Sequence, residues 1–187
     1  MAGATLSEKV LLLEEGFRAR RVPHAFGGAI ALAYYATPRA TIDIDVNAFV
    51  RVERAEEVLD LLATLGARPL RDEERRRLAR DGQVRVHWDG TPVDLFFSYD
   101  SFHERCLERR RRVPFGEGDW IHVLAPEDLL VFKALFARDK DWRDIDELAY
   151  ALAGELDVAY AKEWLGRIAG ADDPRSRRLG EALDRHA

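Results

Sequence analysis

The run Ile42-Asp-Ile-Asp-Val-Asn47 sets an acid or amide at every second position among branched aliphatic residues. That period suits a strand with two unlike faces, not a helix. Side chains two apart on a strand share a face, so Asp43 and Asp45 point the same way. Two carboxylates held together disfavour each other's charge unless a cation compensates. An edge strand with a solvated acidic face meets that condition, and so does a metal site. The choice rests on what the rest of the chain brings alongside.

A third acid stands out. Gln83-Val-Arg-Val-His-Trp88 alternates strictly, Asp89-Gly90 is a strong hairpin signal, and Thr91-Pro-Val-Asp-Leu-Phe-Phe97 returns. Asp94 interrupts the apolar Val93, Leu95, Phe96 and Phe97. A buried carboxylate without a partner is costly, so Asp94 is expected to meet either an arginine or a bound cation. Carboxylate oxygens suit Mg²⁺ together with substrate phosphates; structural Ca²⁺ or arginine pairing would satisfy the same three acids. Upstream, Phe26-Gly-Gly-Ala29 lies between a short strand (24–26) and a helix (29–35). Its amides suit either a phosphate at a helix start or a plain tight turn.

The remaining organisation reads as follows. Helices are expected over 7–20, 52–65 and 102–112, with a loop over 114–119 and a short strand over 120–124. From Pro126 the pattern is helical, with stretches from 126, over 142–152, 160–169 and 174–183. This is an α/β (α+β) class of fold: a short mixed sheet flanked by helices over 1–125, and a helical part over 126–187 packed on it and not independent. The single Cys106 excludes an internal disulfide. No apolar run is long enough to span a bilayer, and nothing resembles a signal peptide, so a cytoplasmic protein without membrane association is expected. The net charge of -5 argues against general nucleic-acid coating but leaves local basic patches open. His24, His87, His103, His122 and His186 show no metal-ligand spacing.

In Phe26-Gly-Gly-Ala29, Arg39-Ala-Thr-Ile-Asp-Ile-Asp45, Pro92-Val-Asp-Leu-Phe96, Glu127 to Lys133 and Arg138 to Leu148, the chain resembles the nucleotidyltransferase superfamily with its polymerase-β-like fold. It looks closest to minimal nucleotidyltransferases and to the toxins of type IV (abortive-infection) toxin–antitoxin systems. The resemblance covers about residues 24–148. It implies transfer of a nucleoside monophosphate from an NTP to an acceptor hydroxyl, with a pair of Mg²⁺ ions. Asp43 and Asp45 match the metal ligands. Asp94 matches the acid that binds the catalytic ion and prepares the acceptor.

The same resemblance places Gly27, Gly28 and Ala29 at the triphosphate and gives Lys133 the neutralisation of phosphate charge. Asp141 and Asp144 match an acidic motif needed for activity, and Arg39 is expected to reach triphosphate or to pair with Asp43. One departure is Ala29, where the motif carries serine; loss of that hydroxyl removes about 1.5 to 3 kcal/mol of binding. The arginines between 75 and 112 fit a tRNA acceptor, with a cognate antitoxin as a further partner, or else form solvated helix surface. An antibiotic acceptor (aminoglycoside or lincosamide) is the alternative. Behind these stand a catalytically reduced nucleotide- or partner-binding relative, and a domain that only packs against another chain.

Overall fold

The computed structural model describes residues 3–186. It divides into two units: one from the chain up to Gly27 and Ala40–Val123, the other from Gly28–Arg39 and from Leu124 onward. Residues 28–39 group with the C-terminal helices because α2 (Gly28–Leu32) packs on α6 (Pro126–Phe136).

The first unit holds a mixed sheet. Its strands, numbered in chain order, are β1 (His24–Phe26), β2 (Ile44–Arg51), β3 (Gln83–Trp88), β4 (Thr91–Ser98), β5 (Arg111–Phe115) and β6 (Asp119–Val123). They lie in the order β3-β4-β2-β1-β6-β5. β2 runs parallel to β4 and β1 parallel to β6; the other neighbours are antiparallel. Helices α1 (Leu6–Ala19), α3 (Ala55–Thr64), α4 (Asp72–Asp81) and α5 (Ser101–Arg109) belong to the same unit. The core is formed by Leu13, Phe17, Phe26, Ile44, Leu61, Leu62, Leu95, Phe97 and Phe102, all fully buried.

Local chemistry explains the elements. Thr5 caps α1 in a reciprocal box with Glu8. Asp89 and Gly90 both have positive φ, 46° and 75°, as a two-residue hairpin turn with the twist of its strands demands. Lys9, almost fully buried on α1, donates to the carbonyls of Trp88 and Asp89 and to Thr91 Oγ1 at 3.2, 2.8 and 2.9 Å, tying that hairpin to α1.

Several boundaries differ from the sequence reading. The helix expected over 102–112 stops at Arg109, and the loop expected from 114 starts as β5, the edge strand paired with β6. Pro114 is tolerated there because an edge strand can spare a donor. The expected helix over 52–65 opens with a 3₁₀ turn at Val52–Arg54, and α2 ends at Leu32. α4 has no counterpart in the sequence reading; only Leu78 of its residues is buried, so it shows no apolar stripe.

The second unit is helical: α2, α6, α7 (Asp139–Ala151), α8 (Val158–Ala169) and α9 (Pro174–Asp184). Buried acids on α6 hold the start of α8. Glu127 Oε1 accepts from the Asp157 amide at 3.2 Å, and Asp128 Oδ1 accepts from the Tyr160 hydroxyl at 2.7 Å. Among the described residues no helix is long and apolar enough to cross a membrane.

Strand alternation in β3 and β4 makes a testable contrast. Leu95→Ala removes a fully buried side chain from a central strand and is expected to cost about 2 to 5 kcal/mol in denaturant unfolding. His87→Ala, on the exposed side of β3, should stay within about 0.5 kcal/mol. Equal effects would contradict the assigned register.

Candidate active site

The acids meet across the neighbouring strands β2 and β4, with Arg85 beside them on β3. Register pairs Asp45 on β2 with Asp94 on β4, and Asp94 with Arg85 on β3. The next row, Val46, Leu95 and Val84, is buried on the other face. The alternation therefore works as read: one face of the sheet feeds the core, and the opposite face carries Asp45, Asp94 and Arg85. Asp43 sits one residue before β2, not within it. Thr41 Oγ1 accepts from the Asp43 amide at 3.2 Å and holds it at the strand entrance.

Arg85 is the counter-ion of this group. Its Nε and Nη2 donate to the two Asp94 oxygens at 2.7 and 2.6 Å, and Nη2 lies 3.8 Å from Asp43 Oδ2. The hydrogen bonds to Asp94, against some burial, raise the Arg85 pKa, with Asp43 and Asp45 adding attraction. The expected partner of Asp94 is thus an arginine here. The guanidinium is 49% exposed, so the pair is worth less than about 1 kcal/mol and is readily displaced. Two carboxylates already sharing one cation fit a divalent ion of hard character.

Asn47 adds an acceptor. It follows Asp45 by two on β2 and so shares its face, is buried, and its Oδ1 has no hydrogen-bond partner. The sequence reading gave it no role, although it continues the acid alternation.

The glycine pair divides its duties. The Gly27 amide donates to the Asp45 carbonyl at 2.9 Å, so this N–H secures β1 to the acid strand and is not aimed at a phosphate. Gly28, with φ of 54°, takes a left-handed conformation that other residues reach only at a cost. Gly28 and Ala29 occupy the first turn of α2, where amides lack intrahelical acceptors.

In the helical unit, Asp144 collects two cations. Arg39 Nε and Nη2 each donate to it at 2.9 Å, and Lys133 Nζ donates at 2.5 Å. Asp144 is therefore a partner of Arg39. Burial alone would raise the Asp144 carboxyl, but the bonds from Arg39 and Lys133 hold it below its ordinary range. Burial pulls the Lys133 ammonium down against the attraction of Asp144. With two cations on one carboxylate, Asp144 is the group that stays ionised. Asp141 is separate. It accepts from Arg138 Nε at 2.6 Å and caps α7 through the Arg138 amide, an architectural use of the acid.

Part of the basic run is paired with acids. Arg77 pairs with Glu73, Arg80 with Asp81, Arg105 with Glu108, and Arg75 with Glu56 on α3. Cys106 is buried.

No protein-family model and no curated sequence matches the chain. Solved structures do. The solution structure of the antibiotic-resistance factor ANT(2'')-Ia is similar with a TM-score of 0.53 at 16% identity, over 95% of this chain and 91% of that one. The crystal structure of ANT(2'')-Ia in complex with adenylyl-2''-tobramycin is similar with a TM-score of 0.52 at 14% identity, over 98% of this chain and all of the other. The chain has a nucleotidyltransferase fold.

Asp144→Ala leaves buried Lys133 without its partner and should destabilise the protein by about 3 to 5 kcal/mol. In the wild type, the lowered Asp144 pKa contributes stability that is full above the ordinary aspartate value of 3.8 and is lost as pH falls through the lower folded value. Unfolding curves against pH should show that acid limb in the wild type and a shallower one in the variant. An Asp144→Ala protein as stable as the wild type would refute the assignment.

Proposed function

We propose that this chain transfers a nucleoside monophosphate from a nucleoside triphosphate to an acceptor hydroxyl, using Mg²⁺ held by Asp43, Asp45 and Asp94. The observation that carries this is the gathering of three acids around one displaceable cation on adjacent strands of a nucleotidyltransferase fold. Bound there, a pair of Mg²⁺ ions supplies a lowered pKa for the attacking hydroxyl and charge stabilisation for the attacking and leaving oxygens. The protein's own work is positioning. Arg85 gives up Asp94, and Asp94 then orients the acceptor hydroxyl and accepts its proton. Asp43 and Asp45 serve as ligands, and Asn47 Oδ1 offers a neutral acceptor on the same face.

Phosphate recognition is assigned to the helical unit's Gly28 and Ala29 amides and to Lys133 and Arg39. Both cations donate to the one Asp144 carboxylate. Ala29 lacks the motif hydroxyl, which leaves the backbone amides to make the contact. Asp141 and Asp144 serve here by fixing the α7 cap and the two cations.

For the acceptor, a cationic small molecule of the aminoglycoside class is favoured. Arg75, Arg80 and Arg105 are paired with acids, the net charge is -5, and the similar structures are of an antibiotic-resistance factor, one holding an adenylylated tobramycin. A tRNA acceptor, with the antitoxin partnership that goes with it, is the second reading. It is favoured by exposed Arg111 and Arg112 on edge strand β5, with Arg112 4.8 Å above the exposed ring of Trp120, a surface suited to phosphate and base.

The test incubates the purified protein with each labelled NTP, Mg²⁺ and, separately, aminoglycosides, lincosamides and total tRNA. Label should pass to an aminoglycoside, and Asp45→Ala and Asp94→Ala should retain the fold while losing about a hundredfold or more in rate. Label in tRNA alone would select the second reading, and unchanged turnover in both variants would refute the mechanism.

The Arg85 arrangement makes its own prediction. Because the guanidinium competes for Asp94, Arg85→Ala should bind Mn²⁺ more tightly in a paramagnetic titration, by about three- to tenfold. Weaker binding would show that Arg85 supports the ion site instead of opposing it.

A further inference from the structure

Away from the acid row, α1, β1 and β6 gather Glu14, His24 and His122. His24 Nε2 lies 2.9 Å from Glu14 Oε2, and His122 Nδ1 lies 2.9 Å from Glu14 Oε1. Among the described residues, this is the His, Cys, Asp and Glu group whose three ligand atoms all lie within 4.8 Å of one another. Glu14 and His24 are buried, and the His122 ring is 30% exposed, which leaves a way in from solvent.

His24 is held firmly. Its ring stacks on Phe17 at 4.5 Å and meets Phe26 edge-on at 5.8 Å. Its Nδ1 lies 3.2 Å from the Val22 carbonyl oxygen, which only accepts, so Nδ1 carries a proton. Its Nε2 faces the Glu14 carboxylate. An imidazole whose far nitrogen donates to a backbone carbonyl is also how metal-ligating histidines are oriented.

We propose that Glu14, His24 and His122 form a binding site for a divalent transition metal, with Zn²⁺ the ion it suits best. Two imidazole nitrogens and one carboxylate make a borderline donor set that favours Zn²⁺ over Mg²⁺, and three protein ligands leave a position open. A cavity of about 260 Å³ lies over the cluster, with Arg18, Arg21 and Arg110 also in its wall. These guanidiniums weaken cation binding relative to a closed structural site. They also favour an anion such as chloride or hydroxide as the remaining ligand. Arg110 Nε is buried without an acceptor, and Nη1 is used on the Leu107 carbonyl at 2.6 Å. The site is independent of the nucleotidyl-transfer reading, since none of its residues belongs to the acid row.

Calorimetric titration of the untagged full chain with ZnCl₂, in chloride buffer with excess Mg²⁺, tests this. The wild type should take up roughly one Zn²⁺ per chain, and His122→Ala should bind at least about tenfold more weakly. His122→Ala keeps the backbone N–H that donates to Glu14 at 3.0 Å, so the packing of Glu14 is preserved. Asp45→Ala should bind Zn²⁺ as the wild type does, which separates this site from the acid row. No uptake by the wild type, or equal affinity in His122→Ala, would overturn the proposal.

Discussion

Carboxylates on neighbouring strands cannot stay charged side by side without a cation, and that requirement shapes the acid face of the sheet. Parallel pairing of β2 and β4 sets Asp45 beside Asp94, and the β3–β4 hairpin delivers Arg85 to the same row. The apolar row behind them, Val46, Leu95 and Val84, is buried, so the register cannot slip by one without burying the acids. Hydrophobic packing thus forces the charges together, and a half-exposed arginine makes the result tolerable at little cost.

The helical unit treats charge differently. Asp144 is enclosed with Lys133 and clamped by Arg39, and Asp141 is spent on a helix cap. Loss of activity on changing either acid would therefore report first on architecture. The same lesson applies to Lys133: a buried ammonium held by a carboxylate is a structural element before it is a phosphate ligand.

Much of this was legible in the sequence. Alternation around Asp43 and Asp45, the Asp89-Gly90 turn and the isolated Asp94 each carried a local signal, and all three point to the geometry observed. The demand for a partner at Asp94 was legible too, although which cation met it depended on the pairing of β3 with β4. What sequence periodicity could not supply were contacts made by topology. His122 and Glu14 are 108 residues apart and meet because α1 packs against β6. The stop of α5 at Arg109 was hidden because the following arginines are good helix formers, while pairing with β6 draws Arg111 and Arg112 into an edge strand. α4 was hidden by its charge, with one buried leucine in ten residues.

The most direct test of the central claim is anomalous diffraction from crystals soaked with Mn²⁺ and a non-hydrolysable nucleoside triphosphate. A manganese peak bounded by the Asp43, Asp45 and Asp94 carboxylates is expected, with Arg85 withdrawn from Asp94. A nucleotide-bound crystal with no peak there, and Arg85 still forked onto Asp94, would contradict it.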